Sequence, residues 1–188
     1  MSPVLYLASA SPRRHELLTQ IGVPHIVVSA DVDESTHTGE APHAYVQRIA
    51  RDKARVVWER KRDMPALAAD TTVVLDGIIY GKPRDRAQAI EMLTHLSGRT
   101  HEVLTAVALA DARGIELRMS VSSVKFRVLA LEECAAYWET GEPRDKAGAY
   151  AIQGFAAVFI ESLSGSYSGV MGLPLHETAN LLRTFGVR

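Results

Sequence analysis

The chain has one cysteine, Cys134, among 188 residues. A lone cysteine cannot close an internal disulfide or build a cysteine-rich zinc site. Aromatic residues make up only 6%, and charge is nearly balanced, 21 Lys and Arg against 22 Asp and Glu for a net −1. A general nucleic-acid binder needs a large surplus of positive charge, so the balance argues against that class. A small anionic substrate needs only a local cluster, which the total leaves open. No run approaches the ~20 apolar residues of a membrane-spanning helix. Met1 to Ala10 lacks the basic leader and long apolar stretch of a signal peptide. A cytoplasmic protein without a membrane partner is expected.

Familiar catalytic signatures are missing as well. There is no G-x-x-x-x-G-K-[ST] phosphate loop and no G-x-G-x-x-G dinucleotide fingerprint. His15-Glu16 runs on to Thr19 instead of a second histidine, so the zinc-protease motif fails. Gly-x-Ser-x-Gly is absent, which weakens a nucleophile-elbow hydrolase. No repeat, low-complexity segment or linker divides the chain, and residues 1–188 are expected to form a single domain.

What is present is an enzyme-like balance, 47% apolar and 23% charged, in alternating strand and helix patterns. Strands are expected at Val4 to Ala8, Ile26 to Val28, Ala66 to Ala69 with Asp70 at the strand end, Glu102 to Ala110, Ile115 to Leu129 and Ala157 to Ser162. Thr72 to Leu75 and Ile78 to Tyr80 flank Asp76-Gly77, a hairpin signal because both turn positions favour positive φ. Helices are expected at about Arg13 to Gln20 with Ser11 as N-cap, Pro42 to Arg60, Asp85 to Leu96, Leu131 to Thr140 and Leu175 to Phe185. Interleaved helices and hairpins imply an α/β fold with a mixed central sheet and flanking helices.

Six places could carry chemistry. Ser9-Ala10-Ser11-Pro12-Arg13-Arg14 joins a strand to a helix, where free N–H groups, two hydroxyls and two guanidiniums can meet an anion; a capped helix with solvated arginines is the plainer alternative. Lys53 falls inside the apolar stripe Val46, Ile49, Ala50, Val56 and Val57, so it either snorkels to the edge or faces a polar cleft. Asp70 closes an apolar run, where a carboxylate can hold a divalent metal or take a proton from water, or simply cap a turn. Lys82 sits in Gly81-Lys82-Pro83, a loop stiffened by proline. Asp33 and Glu34 form an acidic pair in the polar loop Asp31 to Gly39. In Asp145 to Gly154, small residues permit close backbone approach, and Gln153 carries a donor and an acceptor suited to a base edge.

Taken in order, Ser9 to Arg14, Asp33-Glu34, Lys53, Asp70, Gly81-Lys82-Pro83, Phe126-Arg127, Ala147-Gly148, Gln153-Gly154 and Gly172-Leu173-Pro174 resemble the Maf-like nucleoside triphosphate pyrophosphatases, historically linked to septum formation. The resemblance implies two lobes around a deep nucleotide-binding cleft, a homodimer, and metal-dependent hydrolysis between the α and β phosphates. Magnesium is the expected metal, with manganese as a substitute. The family's catalytic carboxylate maps onto Asp70, with Glu34 as a second metal ligand and Asp33 its alternative. Arg14, Lys53 and Lys82 would bind phosphates, and Ser9 would orient them. The positions associated with substrate choice hold Arg13, Thr71 and Gln153, similar to the branch acting on dTTP and UTP, and modified uridine triphosphates remain open. The rival reading is a nucleotide-sensing regulator of septum formation that binds without turnover. An enzyme acting on a nucleotide attached to RNA is a weaker rival, since no basic-aromatic stripe is evident.

Overall fold

The computed structural model describes residues 2–187, so Met1 and Arg188, the ends of the expected single domain, lie outside the described residues. In chain order the elements are β1 (Leu5–Ala8), α1 (Pro12–Gln20), β2 (His25–Val28), α2 (Pro42–Lys61), β3 (Ala66–Leu75), β4 (Ile78–Tyr80), α3 (Arg86–Leu96), β5 (Thr100–Asp111), β6 (Gly114–Phe126), α4 (Leu131–Glu139), β7 (Ile160–Ser164), α5 (Tyr167–Met171) and α6 (Leu175–Thr184). Three 3₁₀ turns, Glu142–Asp145, Ala147–Ala149 and Phe155–Phe159, connect α4 to β7. The α/β expectation with a mixed sheet holds. Seven strands run β2-β1-β3-β5-β6-β7, with β4 beside β3, and only β1 pairs its neighbours in parallel.

β3 is the strand that organises the molecule. Its alternating side chains face two layers. Ala66, Ala68 and Val74 pack with Ala50, Ala54 and Val57 of α2 and with Ala106, Ala108 and Ala110 of β5. Small residues on both partners let α2 approach the sheet closely. On the other face, Leu67 and Ala69 pack with Leu17 and Leu18 of α1 and Leu181 and Leu182 of α6. Farther along, Val73 and Leu75 join a core containing Leu93, Phe126, Tyr137 and Phe159. Fully buried leucines such as Leu67, Leu93 and Leu109 each contribute about 2 kcal/mol by leaving water.

One side of β3 is paired with β5 from Ala66 to Val74. The other side is shared. β1 pairs only with Ala66 and Leu67, and β4 only with Val73, Val74 and Leu75. Residues 68–72 therefore lie along a gap between two partner strands, and the cleft opens there. Asp70 accordingly sits in the middle of a ten-residue strand, which corrects the expectation that it stands at a strand end. The expected break at Asp70 came from the change of residue type, but pairing with β5 carries the backbone straight through Thr71 and Thr72.

Other boundaries also differ. β6 stops at Phe126, because Arg127 N bonds outside the strand to the Phe159 carbonyl. The apolar stretch beginning at Ala157 is a 3₁₀ turn before it becomes β7 at Ile160. Ser11 occupies the N-cap position of α1, but its side chain makes no capping hydrogen bond. Ser9 Oγ instead accepts from Ser11 N at 3.2 Å. The Asp76-Gly77 hairpin forms as expected, with φ of 53° and 77°.

Candidate active site

A cleft of about 770 Å³ lies over the gap in the sheet, within the range of small-molecule sites. Its lining includes every expected site residue: Ser9, Arg13, Arg14, Glu34, Lys53, Asp70, Thr71, Lys82 and Gln153.

Lys53 is the centre of one end. It lies on the buried stripe of α2 and is only 8% exposed, so it does not snorkel. Its Nζ is 2.8 Å from Asp70 Oδ1 and 2.8 Å from Glu34 Oε1. The two carboxylates are pushed in opposite directions. Burial raises the Asp70 pKa above its usual value, and the charges of Lys53 and Arg14 only partly offset it. Burial also raises Glu34, but there the bond and charge of Lys53, with Lys82 and Arg14, outweigh it and hold the carboxyl below the usual range. Such a divergence separates a group that can take a proton from one that stays ionised.

Asp33 and Glu34 point in different directions. Asp33 Oδ1 accepts from Ser35 N at 2.9 Å and lines a separate surface groove. Glu34 is turned into the cleft, helped by Tyr45, whose hydroxyl donates to the Glu34 carbonyl at 3.0 Å. Burial, followed by the charges of Asp70 and Glu34, pushes the Tyr45 hydroxyl up to about 12. Arg48 holds the same loop through Glu40 at 2.6 Å and the Ser35 carbonyl at 2.9 Å.

Arg14 is more constrained than a free phosphate ligand. Nε donates to the Gly172 carbonyl at 2.8 Å, and its terminal nitrogens donate to Ser9 Oγ and Thr71 Oγ1, each at 3.3 Å. Thr105 Oγ1 lies 2.8 Å from the Gly169 carbonyl and 3.0 Å from Thr71 Oγ1. A hydroxyl carries one proton, and the carbonyl can only accept. Thr105 therefore donates to Gly169, and Thr71 donates to Thr105. The Thr71 donor is committed within the protein, so toward a ligand this residue offers its remaining lone pair and its shape.

Arg13, Lys82 and Lys146 form no ion pair among the described residues. Burial lowers the Lys146 pKa first, and the neighbouring charges of Arg13 and Lys82 lower it further. Three cations without an ion pair around one cleft in a chain of net charge −1, only partly offset by the charges of Asp145 and Glu142, raise the positive potential where an anion would enter. Lys146 and Tyr45 are cleft residues that the sequence reading gave no role. The signal for Lys146 was its place beside Ala147-Gly148; Tyr45 lies four residues before Ile49 on the buried stripe of α2. Phe126-Arg127, by contrast, is structural: Arg127 grips Glu133 with contacts of 3.1 and 2.6 Å, and Phe126 is core.

No group of three or more His, Cys, Asp or Glu side chains could hold a metal among the described residues. The donor set that faces the cleft is the Asp70 and Glu34 pair. Two carboxylates are too few for a protein cage, but they fit magnesium, which keeps waters and shares its coordination with substrate phosphates. No helix among the described residues is long and apolar enough to cross a membrane.

A mixed α/β sheet with a basic cleft built around a lysine-bridged carboxylate pair defines a site for a small polyanion. The chain belongs to the family of Maf-like proteins, which matches residues 4–185. It is 55% identical to the dTTP/UTP pyrophosphatase of Methylobacillus flagellatus over 97% of this chain and 93% of the relative. It is 53% identical to the dTTP/UTP pyrophosphatase of Bordetella parapertussis over 98% of this chain and 94% of the relative. Of solved structures, the Staphylococcus aureus Ham1 protein overlaps 65% of this chain and 71% of its own at 15% identity and a TM-score of 0.48, a likeness too partial to bear on function.

Proposed function

We propose that this chain is a nucleoside triphosphate pyrophosphatase that hydrolyses dTTP and UTP to the monophosphate and pyrophosphate, acting as one domain over its whole length. The observation that carries the reading is the Asp70–Lys53–Glu34 node beside three unpaired cations. The likeness to dTTP/UTP pyrophosphatases at 53% and 55% identity supports the substrate.

Hydrolysis needs a water held against the α-phosphorus, a proton acceptor, and stabilisation of the departing pyrophosphate. Asp70, with its pKa raised, takes the proton on Oδ2, the oxygen that Lys53 does not hold. The water oxygen bonds to the α-phosphorus, the α–β anhydride bond breaks, and its electron pair leaves with pyrophosphate. Lys53 keeps Asp70 and Glu34 in register. Lys82 and Lys146 meet the phosphate charges, and Arg14 holds Ser9 and Thr71 at the start of α1. Where Asp70 instead serves as a metal ligand, it and Glu34 would hold a divalent cation, which would supply further neutralisation of phosphate charge; magnesium fits this donor set, and manganese is its substitute. Gln153 reads the base by its paired donor and acceptor, while Arg13 and Thr71 shape that end. The family likeness further supports a homodimer in the cytoplasm that acts on free nucleotides, with neither nucleic acid nor membrane as partner.

The test is pyrophosphate release with magnesium across canonical and modified nucleoside triphosphates. Fast release from dTTP and UTP, but not from dATP or GTP, is expected. Folded protein that binds these nucleotides and releases nothing would instead be the sensor.

A further inference from the structure

Gln153 is exposed at the mouth of the cleft, on a segment without regular secondary structure. A side-chain amide discriminates between bases only if its direction is fixed, because hydrogen bonds weaken steeply off axis. Something must therefore hold the backbone on both sides of it.

Two side chains do so. Before Gln153, Ala151 N donates to the Tyr137 hydroxyl oxygen at 3.2 Å. After it, Phe155 N donates to Glu142 Oε2 at 2.9 Å and Ala156 N to Oε1 at 3.4 Å. The two holders are joined, since the Tyr137 hydroxyl donates to Glu142 Oε1 at 2.5 Å. Tyr137 is 1% exposed on α4 and stacks on Phe155 with ring centroids 6.0 Å apart. Between the two anchors, Gly154 N closes a turn to the Ala151 carbonyl at 3.0 Å. A Cβ on Gly154 would fall inside the Glu142 carboxylate, so glycine, at an ordinary φ, is what lets that carboxylate stay in place. The Arg13 guanidinium also feels the charge of Glu142, alongside Asp145 and Glu16. The same carboxylate thus adjoins two residues of the base end.

We infer that Glu142 and Tyr137 are positioning residues for base recognition, a two-sided clamp that aims the Gln153 amide at the pyrimidine edge. The inference rests on the reading of the cleft as a pyrimidine nucleoside triphosphate site. Neither residue is part of the cleft lining. A purely structural role would lower activity on every nucleotide alike, whereas a clamp acts on the choice between bases.

The experiment compares Glu142→Gln, Tyr137→Phe and wild type on dTTP and dCTP, whose bases exchange an acceptor for a donor at one edge. Pyrophosphate release gives kcat and KM, and amide exchange at Ala151, Phe155 and Ala156 reads the clamp directly. Both variants are expected to lose at least about tenfold in the ratio of kcat/KM for dTTP over dCTP, chiefly through KM. Amide exchange at the clamped positions should quicken. Tyr137→Phe removes one hydroxyl and keeps the ring stack, so it serves if Glu142→Gln does not fold. Variants as selective as a selective wild type, or equally impaired on both nucleotides, overturn the clamp. Wild type that releases no pyrophosphate from dTTP overturns the function itself, whatever the exchange data show.

Discussion

The two ends of the cleft are made in different ways. The phosphate end draws Lys53 from the buried stripe of a 20-residue helix, Asp70 from the middle of a ten-residue strand and Arg14 from the first turn of α1. Regular backbone sets their positions, and side chains do the chemistry. The base end draws Tyr150 and Gln153 from a connection of three 3₁₀ turns, where side chains such as Glu142 and Tyr137 must hold the backbone. Lys53, Asp70 and Arg14 are placed by secondary structure, while the direction of Gln153 is placed by hydrogen bonds to irregular backbone. The first arrangement tolerates loss of a functional group without loss of fold; the second couples recognition to stability.

Asp70→Asn gives the largest effect and tests the first half of that contrast. kcat should fall by on the order of 10²-fold or more, since the proton acceptor is gone. Stability should not fall. Burial raises the Asp70 pKa above its ordinary value, so its ionised form opposes folding, and the opposition grows as pH rises through the folded-state pKa. A neutral amide of the same shape removes that opposition, and Lys53 keeps Glu34 at 2.8 Å. Thermal melting at pH 7 is expected at or above the wild-type temperature. A folded variant with wild-type turnover would remove Asp70 from the mechanism.

The same contrast explains what was legible in the sequence. Helical periodicity marked Lys53 as out of place on an apolar stripe, and a polar residue closing Ala66 to Ala69 marked Asp70. Those signals are periodic, and the elements behind them are regular. The amide of Gln153 already stood out as a donor and acceptor suited to a base edge, but nothing in the sequence pointed to Glu142, which lies 11 residues away and meets the backbone of Phe155 only through the fold. Nor was the gap in β3 legible. It arises because β1 and β4 pair with opposite ends of one edge, and strand order is not encoded in periodicity. Thr71 lines the cleft, yet its committed donor depends on Thr105 and Gly169, 34 and 98 residues further on.

Acid should find the base end next. His101 is 2% exposed, and its Nε2 is 2.8 Å from the Tyr150 hydroxyl, while Nδ1 has no partner among the described residues. Burial pulls its pKa down to about 4. Below about 6.5 the unfolded chain takes up a proton here and the folded protein does not. The stability of the neutral ring is therefore complete above about pH 6.5 and is lost as pH falls toward 4. At about 1.36 kcal/mol per pH unit, the loss approaches ~3 kcal/mol. Urea melts at pH 7 and pH 4.5 should show it in wild type, and His101→Gln, which can bond Tyr150 but does not titrate, should lose less. Equal losses would place the acid sensitivity elsewhere.

The smallest effect is expected where the two ends meet. Gly148 N donates to the Gly81 carbonyl at 3.1 Å, tying the Lys82 loop to the turn that carries Lys146. Gly148 has φ of +67°, and a Cβ there would lie 2.8 Å from Val73 Cγ2 and 3.0 Å from Val73 Cβ. Gly148→Ala thus meets two separate penalties, left-handed backbone and a collision with a stiff β-branched side chain on β3. Together they should cost about 2 kcal/mol in denaturant melts. Repeating the substitution in a Val73→Ala background separates them. The contacts with Cγ1 and Cγ2 disappear, while the 3.0 Å approach to Cβ and the backbone strain remain, so the cost should fall toward about 1 kcal/mol, the difference being the part of the coupling between strand and turn that the Val73 methyls carry. An undiminished cost would mean that backbone conformation alone sets the turn. The base end would then owe its shape to local geometry, without the packing against β3 that joins it to the phosphate end.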